Sequence, residues 1–338
     1  MALDQQIDFK RDIVLLTLLF ATVALMGCGQ TRLEQKTHKI GILSGFAAFA
    51  DIAEGFKDKM TELGYIEGQD IVYDLQNVNT DDAALQRAIK RFKENEVDLI
   101  LSFPTEASIR AKDLTRATTI PLVFALAGIE GNNLVDSVHH PGGNISGVRF
   151  PGPDLTVKRF ELLLELAPHI KKVWTAYDIN YPTNGAAIKV LRQAASASRV
   201  TLVEKLVTNT DEIQADLQAR AASGDPGIDA ILIMPDTVSQ SPAGWTAIAA
   251  FAAEHKLPIV GTGGGVYDAH TVISYTPDKF EIGRQAALIA DKIIKGTPAG
   301  KIMVVTPQCR LRLNYTLAQE LGLTVPEGLL SKADEILR

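Results

Sequence analysis

Cysteine is nearly missing from this chain: Cys28 and Cys309 are the only two in 338 residues. They are too few for a disulfide framework, and no CxxC or Cys/His spacing offers a zinc site. Aromatics are sparse at 6%, which argues against an antibody-like or sugar-stacking surface. No Lys/Arg cluster stands out and the net charge is −6, so the electrostatic footprint of a nucleic-acid binder is absent. The six His are scattered, and His139-His140 precede a Pro-Gly turn without metal spacing. The motifs of nucleotide chemistry are missing too. Gly261-Thr262-Gly263-Gly264-Gly265 has no Lys-Ser/Thr and falls late in the chain. Ser44-Gly45-Phe46-Ala47, after the first strand, lacks the dinucleotide glycines. Gly41-Ile42-Leu43-Ser44-Gly45 has the wrong spacing for a nucleophile elbow. These gaps point away from an enzyme and leave no cofactor, metal or nucleic acid to expect.

What is present begins with an address. Residues 12–27 contain an apolar run that starts at Ile13, and Lys10 and Arg11 sit just before it. A comfortable membrane span needs roughly 20 residues, so the run is short for one. A basic flank, a short apolar core and small residues at its end describe a secretory signal. The run stops at Leu25-Met26-Gly27-Cys28, which resembles the bacterial lipobox and implies acylation of Cys28. Residues 1–28 are therefore expected to be a lipoprotein signal peptide and 29–37 a polar tether. Cys309 reads as a small core hydrophobe, since no His lies near it in sequence.

From Lys39 onward, short apolar strands alternate with segments of helical period, the pattern of a parallel sheet covered by helices. Strands are expected at 39–43, 71–75, 97–102 and 120–124. Ile52, Phe56, Met60 and Leu63 recur at helical spacing, with Asp51 placed to cap and Gly64 to terminate. The second half replays the first. The segment 172–177 matches the opening strand, 228–235 matches 97–104, and 257–260 matches 120–123. An offset of roughly 130–137 residues is far too long for a solenoid and marks two similar lobes.

Two open parallel sheets facing each other leave a cleft, and ligands in such sheets sit beyond the carboxyl ends of the strands. The repeat thus locates candidate ligand contacts: Ser44, Phe46, Ser102, Phe103, Thr105 and Glu106 from the first lobe, and Tyr177, Asp178, Tyr181, Asp236, Thr237 and Thr262 from the second. Ser102 and Thr105, beside a helix start, suit a ligand carboxylate or simply cap that helix. Asp178 and Asp236 suit an ammonium or shape turns. Phe46, Phe103 and Tyr181 could flank a flat ligand body. Arg149 could fork onto a carboxylate. The arrangement suits a zwitterion with its carboxylate toward the first lobe and its ammonium toward the second.

Several stretches resemble the substrate-binding family of ABC transporters that includes the tryptophan/tyrosine-binding lipoproteins. They include Glu62-Leu63-Gly64-Tyr65-Ile66-Glu67-Gly68, Pro141-Gly142-Gly143-Asn144-Ile145-Ser146-Gly147-Val148 and Phe280-Glu281-Ile282-Gly283-Arg284-Gln285-Ala286-Ala287. Arg159-Phe160-Glu161-Leu162-Leu163, Leu321-Gly322-Leu323-Thr324-Val325-Pro326 and Ala333-Asp334-Glu335-Ile336 complete the set. The resemblance implies a type I periplasmic-binding fold: two doubly wound α/β lobes joined by a three-strand hinge near 146–153, 272–277 and 300–304. The lobes would be 38–148 plus 273–300, and 149–272 plus 301–338. It also implies an extracytoplasmic monomer that hands a small molecule to a permease and ATPase. A ligand-sensing lipoprotein for a membrane signalling partner is the alternative. The chain departs from such relatives at Ala125-Leu126-Ala127, at Pro235-Asp236-Thr237 and at Arg149-Phe150, which leaves open a ligand other than an aromatic amino acid. A repressor on the same fold would need a helix-turn-helix where this chain carries its apolar leader.

Overall fold

The computed structural model describes residues 36–79, 81–263 and 265–338. The expected leader, Cys28 and all but the end of the tether lie outside the described residues. The first sheet is laid down by β1 (His38–Ser44), β2 (Ile71–Asn77), β3 (Leu99–Phe103), β4 (Leu122–Ala127) and β5 (Ile145–Arg149). All are parallel, in the order β2-β1-β3-β4-β5. Side chains alternate between the sheet's faces. Ile40, Ile42, Leu99, Leu101 and Phe103 pack under α1 (Ala50–Glu62). Leu43, Ile100, Leu122 and Phe124 pack with residues of α2 (Asp82–Glu94) and α3 (Thr105–Thr115). Asp81 caps α2 by accepting from the Ala84 amide at 2.6 Å. Asp51 does not cap α1 as the sequence suggested. A 3-10 turn, Ala47–Phe49, precedes the helix, which puts Asp51 inside the first turn.

The second lobe repeats the plan. It contains α4 (Gly152–Leu166), β6 (Lys172–Tyr177), α5 (Asn184–Ala197), β7 (Thr201–Leu206), α6 (Thr210–Ala222), β8 (Ala230–Leu232), α7 (Pro242–Glu254), β9 (Ile259–Gly261) and β10 (Thr271–Pro277). Its order, β7-β6-β8-β9-β10, is the first sheet's order strand for strand. The three segments matched in the sequence are therefore topological equivalents: β1 with β6, β3 with β8, β4 with β9. After β10 the chain returns to the first lobe as α8 (Lys279–Ile294), which lies beside α1. It then crosses back to β11 (Cys309–Asn314), α9 (Tyr315–Glu320), α10 (Glu327–Lys332) and β12 (Glu335–Leu337). β11 is antiparallel to β10 and closes the second sheet with β12.

The first crossing is Phe150-Pro151, between β5 and α4. The third runs beside β5: the Val305 amide donates to Gly147 O at 2.9 Å and the Arg149 amide to Val305 O at 2.9 Å. The second differs from the expected 272/273 boundary. β10 stays paired with β9 and β11 through Pro277, so the chain leaves the second sheet at Pro277-Asp278. That pairing depends on β11, more than 30 residues downstream, which local patterning does not reveal.

Candidate ligand cleft

Both sheets reverse their winding direction at the first strand, between β1 and β3 and between β6 and β8. Ligands of doubly wound sheets sit outside such switch points. In the first lobe the strand ends deliver Ser44-Gly45-Phe46 and the start of α3. In the second they deliver residues 178–184 and 233–239.

The lobes meet here. The Tyr181 hydroxyl, from the loop after β6, donates to Glu106 Oε2 in the first turn of α3 at 3.3 Å. It is also within hydrogen-bond reach of Thr105. Thr105 Oγ1 accepts from the Gly128 amide at 3.0 Å, tying α3 to the loop after β4. Gly128 lies so close to Thr183 that a Cβ there would collide with the Thr183 methyl. Burial drives the Tyr181 phenol well above its ordinary pKa, and the nearby Glu106 and Asp236 carboxylates add to the shift. Burial also raises the Glu106 carboxyl.

Thr105, Glu106 and Tyr181 therefore come together as the sequence placed them. Other candidates serve the interior of their own lobes. Phe103 is fully buried in the core under α1, and Tyr177 is buried with its hydroxyl on Glu204 at 2.7 Å. The Ser102 hydroxyl is buried against Ser108 at 3.0 Å, and Ser44 Oγ donates to Phe46 O at 3.1 Å. Asp178 Oδ1 accepts from the Asn180 amide at 2.8 Å in a local turn. Asp236 is committed more fully. Oδ1 accepts from the amides of Val238 at 3.0 Å and Ser239 at 2.8 Å; Oδ2 accepts from Asn184 Nδ2 at 3.1 Å and the Asp178 amide at 3.4 Å. A carboxylate offers about four acceptor positions, and all are filled within the second lobe. Burial nevertheless raises its pKa. Thr237 is exposed and Thr262 half-buried.

The residues over 40–337 match the model of the ABC transporter substrate binding protein family. The chain belongs to that family. Among its relatives, the "Tyrosine-binding protein" of Clostridioides difficile (strain R20291) is 25% identical over 276 residues, covering 81% of this chain and 76% of the relative. An ABC domain from Streptococcus pneumonia, solved with L-Trp, superimposes with a TM-score of 0.78 at 24% identity, covering 89% of this chain and all of that one. A ligand-free, open substrate-binding protein with adhesive properties from Clostridium difficile gives a TM-score of 0.70 at 22% identity, covering 89% of this chain and 99% of that one.

Several groups in this substrate-binding protein's cleft were not singled out in the sequence. Thr183 and Asn184 are 1% and 0% exposed, and their Oγ1 and Oδ1 atoms have no partner among the described residues. The Tyr181-Pro182-Thr183-Asn184 run before an apolar-periodic segment is the signal that could have flagged a helix start there. At the rim of the first lobe, Phe46 packs edge-on to Phe49 with centroids 6.0 Å apart, and the Lys279 ammonium lies 4.9 Å over the Phe49 ring. Lys279 arrives on α8, more than 200 positions away in sequence, so proximity to the strand ends was not legible. Arg149, at the end of β5, pairs with Glu130 and with Asp154 at 3.1 Å and donates to Thr306 Oγ1 at 2.8 Å. Cys309, at the base of β11, is half-buried, and burial pushes its thiol up to about 11.

Proposed function

We propose that this chain is the extracytoplasmic, lipid-anchored receptor of an ABC importer, capturing an amino acid or related zwitterion between its lobes and presenting the closed form to a permease. The observation that carries the reading is the Tyr181–Glu106 hydrogen bond, which joins the lobes at the switch points of both sheets. A ligand contacting both sides there favours the closed state over the open one, which is all that hinge closure requires. Two relatives support the ligand class: one is named for tyrosine and another was solved with L-Trp. The leader ending at Gly27-Cys28 supports the location.

The test is a thermal-shift screen of the mature chain against amino acids, purines, sugars and small carboxylates, followed by small-angle scattering with any binder. A binder raises the melting temperature by mass action. The radius of gyration should shrink with that binder present. A confirmed binder with an unchanged radius would refute closure, and a screen without any binder would refute the receptor reading.

A further inference from the structure

Two carboxylates, Glu106 and Asp236, stand at the seam between the lobes, and their situations differ. Asp236 has every acceptor position filled from within its own lobe. Glu106 accepts from the Tyr181 hydroxyl, and its own amide is the other donor acting on it; among the described residues no Lys, Arg or His acts on it. A partly buried carboxylate without a cation is unusual, because burial favours the charged form only when an opposite charge is supplied. In the helix start that follows Tyr181, Thr183 Oγ1 and Asn184 Oδ1 are buried without partners among the described residues. Thr183 reaches across the seam to Gly128, whose amide is the donor to Thr105. Asn184 is tied to Asp236, whose charge in turn acts on Tyr181. Asn184 Oδ1 therefore lacks a donor, the Thr183 hydroxyl can donate or accept, and Glu106 lacks a cation among the described residues. A ligand carboxylate placed here would face Glu106 as a like charge. An ammonium brings three donors and the opposite charge.

We infer that the ligand carries a positively charged nitrogen, held at the lobe seam by the Glu106 carboxylate of the first lobe and the Tyr181 hydroxyl of the second. The inference rests on the receptor reading above and narrows it. It also reverses the orientation expected from the sequence, turning the cationic end toward α3. Asp236 then acts as scaffold: it fixes the 236–239 turn and the start of α5, so that Tyr181 and Asn184 are presented correctly.

The experiment pairs amines with their des-amino counterparts. L-tyrosine is set against 3-(4-hydroxyphenyl)propanoate, L-tryptophan against indole-3-propanoate, and the remaining amino acids and simple diamines against the matching acids and alcohols. Thermal shift locates binders, and calorimetric titration measures them on the mature chain, Glu106→Gln and Tyr181→Phe. Only amine-bearing members should bind, and Glu106→Gln should weaken them about tenfold to a hundredfold, as loss of a charge-assisted hydrogen bond does. Tyr181→Phe should weaken them less, by removing one donor while keeping the ring. Apo melting curves confirm that each variant folds. A des-amino compound binding as tightly as its amine, or full affinity in a folded Glu106→Gln, overturns the inference and leaves the receptor standing. No binder in either half of the panel overturns the receptor reading and the inference with it.

Discussion

At the scale of the residue, the two seam carboxylates separate scaffold from contact. Asp236→Ala removes the acceptor for four donors, and a buried donor left unsatisfied costs about 1–3 kcal/mol. The apo protein should therefore lose more than about 2 kcal/mol, read from chemical denaturation, whether or not ligand is present. An unchanged midpoint would show that the loop holds itself. Glu106 predicts a pH effect instead. Burial raises its folded-state pKa, with the Tyr181 hydroxyl partly opposing the shift. Below the unfolded value both states are protonated and the group is neutral in the balance. As pH rises from the unfolded value toward the folded one, the unfolded chain ionises while the folded carboxyl keeps its proton, and apo stability falls until the folded value is passed. Other acids run the opposite way: Glu62, held down to about 2 by hydrogen bonds to Arg284 and Lys59, contributes above the usual carboxylate range and loses that contribution as pH falls. The clean measurement is the difference in apo melting temperature between Glu106→Gln and the parent chain. It should grow as pH rises above about 4.3, the ordinary glutamate value. A flat difference would mean that Glu106 ionises without penalty.

At the scale of the element, the hinge and the α1–α8 pair decide what can move. Arg149 ends β5 just before the first crossing and grips Thr306 on the third, Glu130 of the first lobe and Asp154 of α4. It is a tie between crossing strands rather than a fork for a ligand carboxylate. Asp154 is exposed, so that pair contributes little on its own. Glu130 lies in the loop that meets residues 182–186 of the second lobe, so Arg149 braces that loop from β5. Arg149→Met should consequently favour the open form: ligand affinity falls about tenfold, through faster dissociation, while apo stability changes little. Stopped-flow release of the bound ligand checks it, and an unchanged off-rate would remove Arg149 from the closing mechanism. The helix pair is rigid by contrast. A Cβ at Gly283 would strike the carbonyl oxygen of Ile52, and one at Gly55 would strike that of Phe280. Both obstacles are backbone, so they cannot rotate away. Gly283→Ala should cost about 1–3 kcal/mol by forcing the helices apart. A melting curve like the parent's would show that α8 can slide.

At the scale of the whole molecule, two lobes with one strand order are joined by three crossings, the arrangement on which the proposed closure rests. Tethering would set where the ligand is captured. If Cys28 is the acylated terminus, the mature chain reaches β1 through about ten residues, a reach of at most roughly 35 Å when extended. Intact-mass analysis of membrane-extracted protein should find an acylated Cys28, and Cys28→Ala should release the protein or leave it unprocessed. Recovery of soluble protein that starts at an unmodified Met1 would refute the anchor.

The sequence by itself determined the local and the repeated. Apolar strands of 4–6 residues between helical periods set the parallel lobes, because side-chain alternation and helix spacing are properties of neighbours along the chain. The matched segments set the strand equivalence and, through it, the end of the sheets where Thr105, Glu106 and Tyr181 meet. Tertiary structure decided which polar groups remained available there. Ser102, Tyr177 and Asp236 are of the right type and at the right strand ends, yet each found partners inside its own lobe: Ser108, Glu204, and the 236–239 turn with Asn184. It likewise decided that β10 belongs wholly to the second sheet, through pairing with β11, and that Lys279 stands over Phe49. Hydrogen-bond capacity is consumed by whichever partner folding brings closest, and that distance is set by the packing of segments tens to hundreds of residues apart.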